Sequence, residues 1–200
     1  MTKLFYITLS FFIISLLSLT DSLAQTQKGR FMLGTSMGKF NFGKNYTELS
    51  LDVKAGYFVI DNLVIGLTPS YAYTSADYPN GNNQKNNALG IGPFVRYYFG
   101  EGKLKPLLNT SFVYYNSTSK IIATMIPYPG APEGEYEFQL KNKYKLLQVG
   151  GGVAYFLNDY VSLEGLINYG RYLDWDYDSV SYEKAGEVSI NLGVQIFIGK

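Results

Sequence analysis

The chain has no cysteine and no histidine among its 200 residues. Without cysteine there is no disulfide, no thiolate nucleophile, no thiolate metal site and no acylated cysteine anchor. Without histidine the usual general base and the commonest transition-metal ligand are missing, and a Ser-His-acid triad is impossible. Charge is scarce as well: Asp, Glu, Lys and Arg supply 16% of the residues, against about a quarter in ordinary soluble domains. The net charge of +1 gives no electrostatic reason to expect nucleic acid as a partner. What is abundant is Tyr (19), Gly (21) and Phe (13). A surface so poor in charge is hard to keep dissolved unless much of it never meets water.

One long apolar run exists, and it stands first. Met1 to Lys3 carries a single positive charge, and Leu4 to Leu19 is broken only by Thr8, Ser10, Ser15 and Ser18. Ser22-Leu23-Ala24 then offers the small-x-small pattern of a cleavage site, so residues 1–24 read as a secretory signal peptide. The run is shorter than the ~20 residues a spanning helix needs. No later segment reaches that length without charges or glycines. If the mature chain, 25–200, sits in a membrane, helices do not put it there.

The remainder alternates with a period of two, the mark of strands with two unlike faces. Leu49, Leu51, Val53, Ala55 and Tyr57 share one face, opposed by Glu48, Ser50, Asp52, Lys54 and Gly56. The same pattern runs through Leu63–Tyr73, Leu89–Phe99, Pro106–Tyr114, Leu147–Tyr155, Val161–Tyr169 and Val188–Ile198, with a weaker first strand around Arg30–Phe40. That makes eight. Each segment spans about ten to thirteen residues, near the ~9–11 that cross a bilayer when tilted; soluble strands average nearer five or six. The apolar face is bulky, whereas the other is rich in Gly, Ser, Asn and Gln. Small uncharged residues make a poor water-facing exterior but suit a narrow interior, so the pattern reads inside out. The expectation is an eight-stranded antiparallel up-and-down transmembrane β-barrel.

Connections alternate in length. Val59–Asn62, Gly100–Lys103 and Leu157–Tyr160 are tight Asp/Asn/Gly turns. Asn41–Asn45, Ser75–Asn86, Ser117–Asn142 and Leu173–Lys184 are longer on average, as on the outer rim of membrane barrels. Paired aromatics precede each short turn, giving an expected interfacial girdle of Tyr57, Phe58, Tyr97, Phe99, Tyr155 and Phe156. Tyr71, Tyr73, Tyr114, Tyr144, Tyr169 and Tyr172 would form the opposite girdle. In the longest connection Tyr136, Phe138 and Leu140 alternate with Glu135, Glu137 and Gln139, which reads as a β-hairpin rising beyond the membrane, and a parity break near Leu146-Leu147 suggests a β-bulge.

At the signal, the hairpin Ala154–Glu164 and the alternating final strand, the sequence resembles the small outer-membrane β-barrel family of Gram-negative bacteria. This is the OmpA-domain and OmpX-like group often labelled "porin family". The resemblance spans about Gln25 to Lys200. It departs from the family's terminal aromatic, since the chain ends Phe197-Ile198-Gly199-Lys200. It implies location in the cell outer membrane and contact with the barrel-assembly machinery during biogenesis. It specifies architecture far better than activity.

Four charged residues fall on the interior face: Asp52, Lys54, Arg96 and Glu164. They are expected to form a charge-paired, hydrogen-bonded lumen network, structural in role, within a barrel just wide enough for side chains to fill. No catalysis, no metal and no cofactor are expected. A narrow small-solute channel and a soluble periplasmic barrel binding an apolar ligand stand as alternatives. The expected partner is outer-membrane lipid; Ile121, Ile122, Met125, Ile126 and Trp175 either present a surface to an extracellular partner or pack against neighbouring loops, nucleic acid is not expected, and a monomer is.

Overall fold

The computed structural model describes residues 24–43, 45–78, 82–125, 134–176 and 186–199. After a single 3-10 turn at Ala24–Thr26 come eight strands: β1 (Phe31–Phe42), β2 (Tyr46–Ile60), β3 (Leu63–Asp77), β4 (Asn83–Tyr98), β5 (Leu104–Met125), β6 (Gly134–Phe156), β7 (Val161–Asp176) and β8 (Gly186–Ile198). Each pairs antiparallel with its neighbour, and β1 closes on β8 from Phe31 opposite Ile198 to Gly38 opposite Asn191. The ring is therefore an up-and-down barrel without edges, the closure that removes unpaired backbone groups from a sheet.

Strict alternation sorts the side chains. Ile65, Ile91 and Val194 lie on the outside, 44%, 55% and 44% exposed, whereas Arg96 and Glu164 are 1% and 4% exposed within. Leucine, isoleucine, valine and aromatic side chains cover the outer wall all the way round, among them Phe31, Leu67, Leu89, Leu108, Ile167 and Ile190. The apolar face of every strand looks away from the centre.

The strands run longer than their alternation suggested. β5 has 22 residues and β6 has 23, and their ladder is unbroken from Leu104 opposite Tyr155 to Met125 opposite Gly134. Residues 117–125 and 134–142 of the longest connection thus form the expected hairpin, continuous with the strands below it. A bulge does lie at the expected level, beside Leu146, but the extra residue is on the neighbouring strand. β6 keeps its register with β5, while β7 slips where Lys145 faces Asp174 and Leu146 faces Tyr172, leaving Leu173 as the extra residue. The apolar face of β6 changes side there because the hairpin has left the apolar band, not because β6 is kinked.

The short turns are built by residues that tolerate left-handed backbone or cap it. Asn62 (φ +66°) turns β2 into β3, and Gly100 (φ +75°) and Gly102 (φ +101°) turn β4 into β5. Between β6 and β7 the Asn158 carboxamide oxygen accepts from the backbone N–H of Tyr160 (2.8 Å) and Val161 (2.9 Å).

Candidate functional site: the lumen of the barrel

The lumen is layered. At the short-turn end the 3-10 turn lies across the mouth. Gln25 donates to Asp159 (3.2 Å), Lys105 Nζ donates to Thr26 Oγ1 (2.8 Å), Thr26 also bonds Asn62, and Arg30 donates to the Phe197 carbonyl (3.1 Å). No periodic signal marks this cap, and the sequence reading missed it.

Above it lies an aromatic layer. Phe58, Tyr98, Phe156 and Phe197 are fully buried, with ring centroids 5.1–6.3 Å apart. This corrects the expected girdle at two places. Phe58 and Phe156 face the lumen, because neighbours on a strand point to opposite sides and Tyr57 and Tyr155 hold the outer positions. Tyr57, Tyr97, Phe99 and Tyr155 do lie outside, each between 38% and 48% exposed. The narrow interior suits small residues, yet bulky ones enter it at some positions. Large rings are admitted beside glycines: a Cβ on Gly56 would stand 2.9 Å from Phe94 Cζ, and one on Gly90 would stand 2.6 Å from the Tyr115 ring.

On the aromatic layer rests the ionic one. Arg96 on β4 and Glu164 on β7 reach across the lumen and meet at 2.6 Å. Tyr98 donates its hydroxyl to the other Glu164 oxygen (2.8 Å), and Arg96 Nε donates to Asn109 Oδ1 (3.1 Å). The structure thus brings together two of the four charges singled out in the sequence. The other two form a looser pair farther up. Lys54 Nζ donates to Ser36 Oγ (2.8 Å) and stands 3.8 Å from Asp52. Tyr98, Ser36 and Asn109 were not singled out, although each lies at an interior-parity position two steps from, or opposite, one that was.

The lumen widens at the far end. Tyr115 stacks on Tyr144 (4.9 Å), Tyr144 meets Tyr172 edge-on (5.5 Å), and the Tyr172 hydroxyl donates to Glu187 (3.0 Å). With Asp52 and Glu48 these residues line a cup of about 70 Å³. Tyr144 and Tyr172 are therefore interior residues and not part of the upper girdle, a second correction with the same parity cause. Tyr71, Tyr73, Tyr114 and Tyr169 keep the outer parity. Of the residues expected to meet a partner, Ile121 and Ile122 are half-buried on β5. Ile126 lies outside the described residues, as do the side chains of Met125 and Trp175.

Among the described residues the lumen holds a tight ion pair, a loose pair and a tyrosine–carboxylate cup.

No family model matches the chain, and no curated protein matches it in sequence. Several solved structures match it in shape. A major outer membrane protein from Thermus thermophilus is similar over 85% of this chain and 99% of its own, with TM-score 0.55 and 14% identity. OprG from Pseudomonas aeruginosa covers 89% of this chain and 100% of its own (TM-score 0.47, 10% identity). Neisserial surface protein A covers 86% and 97% (TM-score 0.46, 17% identity). At these identities the likeness is one of fold, and the Thermus protein shares the barrel.

Proposed function

We propose that this chain is a non-enzymatic integral outer-membrane barrel, exported through a cleaved signal at residues 1–24. Its roles are structural and at the surface. One observation carries the reading: the outer wall is apolar and aromatic around the whole ring, while Asp52, Lys54, Arg96 and Glu164 point inward and pair there. In water such a wall exposes far more contiguous apolar area than a soluble monomer tolerates. In hydrocarbon it is the required exterior, and a closed barrel leaves no backbone group unpaired. The girdle of Tyr57, Tyr97, Phe99 and Tyr155 fits one interface, and Tyr71, Tyr73, Tyr114 and Tyr169 fit the other. The Thermus likeness in fold is consistent with this placement. A soluble barrel that binds an apolar ligand needs the opposite arrangement, a polar wall around an apolar hollow.

The filled lumen supports a sealed barrel over a channel. The aromatic layer and the Arg96–Glu164 bridge lie in series across it. Two measurements test the proposal. The protein should resist salt and carbonate washes and leave membranes only with detergent, and it should migrate differently on gels before and after boiling, as the family resemblance implies. Recovery in a salt wash would refute the membrane placement. Reconstituted into planar bilayers it should be silent; discrete conductance steps would move the reading to the small-solute channel.

A further inference from the structure

The outer wall changes character abruptly on β5 and β6. On β5 the outward positions run Leu108, Thr110, Phe112, Tyr114 and then Asn116 and Thr118. On β6 they run Tyr155, Val153, Gly151, Val149, Leu147 and then Lys145, Lys143 and Lys141. The ladder sets Asn116 opposite Lys143 and Thr118 opposite Lys141. Between them lies a cleft of about 210 Å³ lined by Asn116, Ser117, Thr118, Lys141, Asn142 and Lys143. Lys120, one step higher, is tied to Glu137 at 3.2 Å, but among the described residues Lys141 and Lys143 have no ion pair. Lys85 adds a further exposed cation on neighbouring β4, and Asp176 on β7 occupies the register position opposite Lys143.

Given the membrane placement proposed above, on which this inference rests, the cleft sits immediately beyond the apolar band, at the level of lipid headgroups. We infer that it is a binding site for the phosphate of a phosphorylated lipid, held between Lys141 and Lys143. Three features fit that ligand. Two ammonium groups with no ion pair among the described residues flank the cleft, and lysine binds phosphate as a point charge. The Asn116 amide and Thr118 hydroxyl are donors for the remaining phosphate oxygens. Directly below, Leu89, Ile91 and Phe112 are exposed (65%, 55% and 36%) and form an apolar slope on which acyl chains can lie. A free phosphate ion gains nothing from that slope, which is why the occupant is a lipid. Cations at a membrane surface each attract anionic lipid by about 1 kcal/mol.

The test measures retention of radiolabelled phosphatidic acid, and of diacylglycerol with the same chains, on the immobilised, detergent-solubilised protein. The wild type should retain phosphatidic acid and release diacylglycerol. K141A/K143A should weaken the phosphatidic acid interaction by about thirtyfold, the loss of two headgroup contacts. K103A, on the opposite rim, should leave it unchanged. Equal retention of both lipids, or an unchanged double variant, would overturn the site. Displacement by millimolar inorganic phosphate would overturn the lipid assignment in favour of a free anion. Both lysines are exposed, and heat-dependent gel migration verifies that the double variant is folded. The two readings fail separately: a protein that leaves the membrane without detergent sinks the placement, whereas one that needs detergent but ignores phosphate sinks only the headgroup site.

Discussion

Arg96 is the most consequential single residue of the barrel. Its guanidinium is buried, and its charge is tolerated because Glu164 stands 2.6 Å away while Asn109 and Tyr98 add contacts at Nε and Nη1. A buried pair contributes less net stability than its short distance suggests, because both ions were taken out of water, but removing one partner strands the other. Glu164→Gln should therefore cost about 3–5 kcal/mol, read as a lower urea midpoint for the detergent- or vesicle-folded protein. Replacing both by Met and Leu should recover most of the loss; a double variant as unstable as the single would contradict this. The aromatic pairs give a second comparison at this scale. Phe58→Ala opens a void in the sealed layer and should cost about 3–5 kcal/mol; Tyr57→Ala, on the adjacent outer position, should cost well under half of that. The same urea midpoints decide it. Here the sequence was legible in pattern but was read too generously. Tyr57 with Phe58, and Tyr155 with Phe156, are chain neighbours, and a period of two forbids both members of a pair from facing lipid. Asp52, Lys54, Arg96 and Glu164 were legible because a charge at an interior-parity position stands out against Gly, Ser and Asn. Which of them meet was not legible, since Arg96 and Glu164 are 68 positions apart and are joined only by the curvature of a closed ring.

Among the elements, the β5–β6 hairpin departs most from what spanning requires. Strands of 22 and 23 residues are about twice the ~9–11 needed to cross a bilayer. The part beyond Lys120 opposite Gln139 contributes nothing to the layers in the lower lumen. Replacing residues 121–138 by Asn-Gly, a turn suited to a two-residue hairpin, should leave a barrel that still folds and still shows heat-dependent migration. Failure to fold would mean that the upper hairpin nucleates or braces the ring. Seven of the strands announce themselves by alternation and the three short turns by Asp, Asn and Gly. The upper hairpin was legible as well, because Tyr136, Phe138 and Leu140 alternate with Glu135, Glu137 and Gln139. Its continuity with the spanning strands was not, since Ser117-Thr118-Ser119 offer no apolar face and strand ends there must be read from backbone pairing.

For the whole molecule, the layers predict how the barrel behaves when its ionic bridge is broken. Arg96→Ala should remain silent in planar bilayers, because Phe58, Tyr98, Phe156 and Phe197 still fill the section below. Conductance appearing in that variant would make the bridge, and not the rings, the seal. The N-terminal cap was the largest feature that the sequence concealed. Gln25 and Arg30 find their partners at Asp159 and at the Phe197 carbonyl, so residues from the two extremes of the chain meet only after the ring exists. That arrangement makes assembly self-checking. The first residues of the barrel cannot settle until the last strand has arrived, and a chain that stops before β8 has no smaller ring to adopt and nothing with which to cork its mouth. An incomplete product would keep an open seam and an unsealed floor, a state recognisably unlike the finished one to any quality-control protease that attacks loose ends.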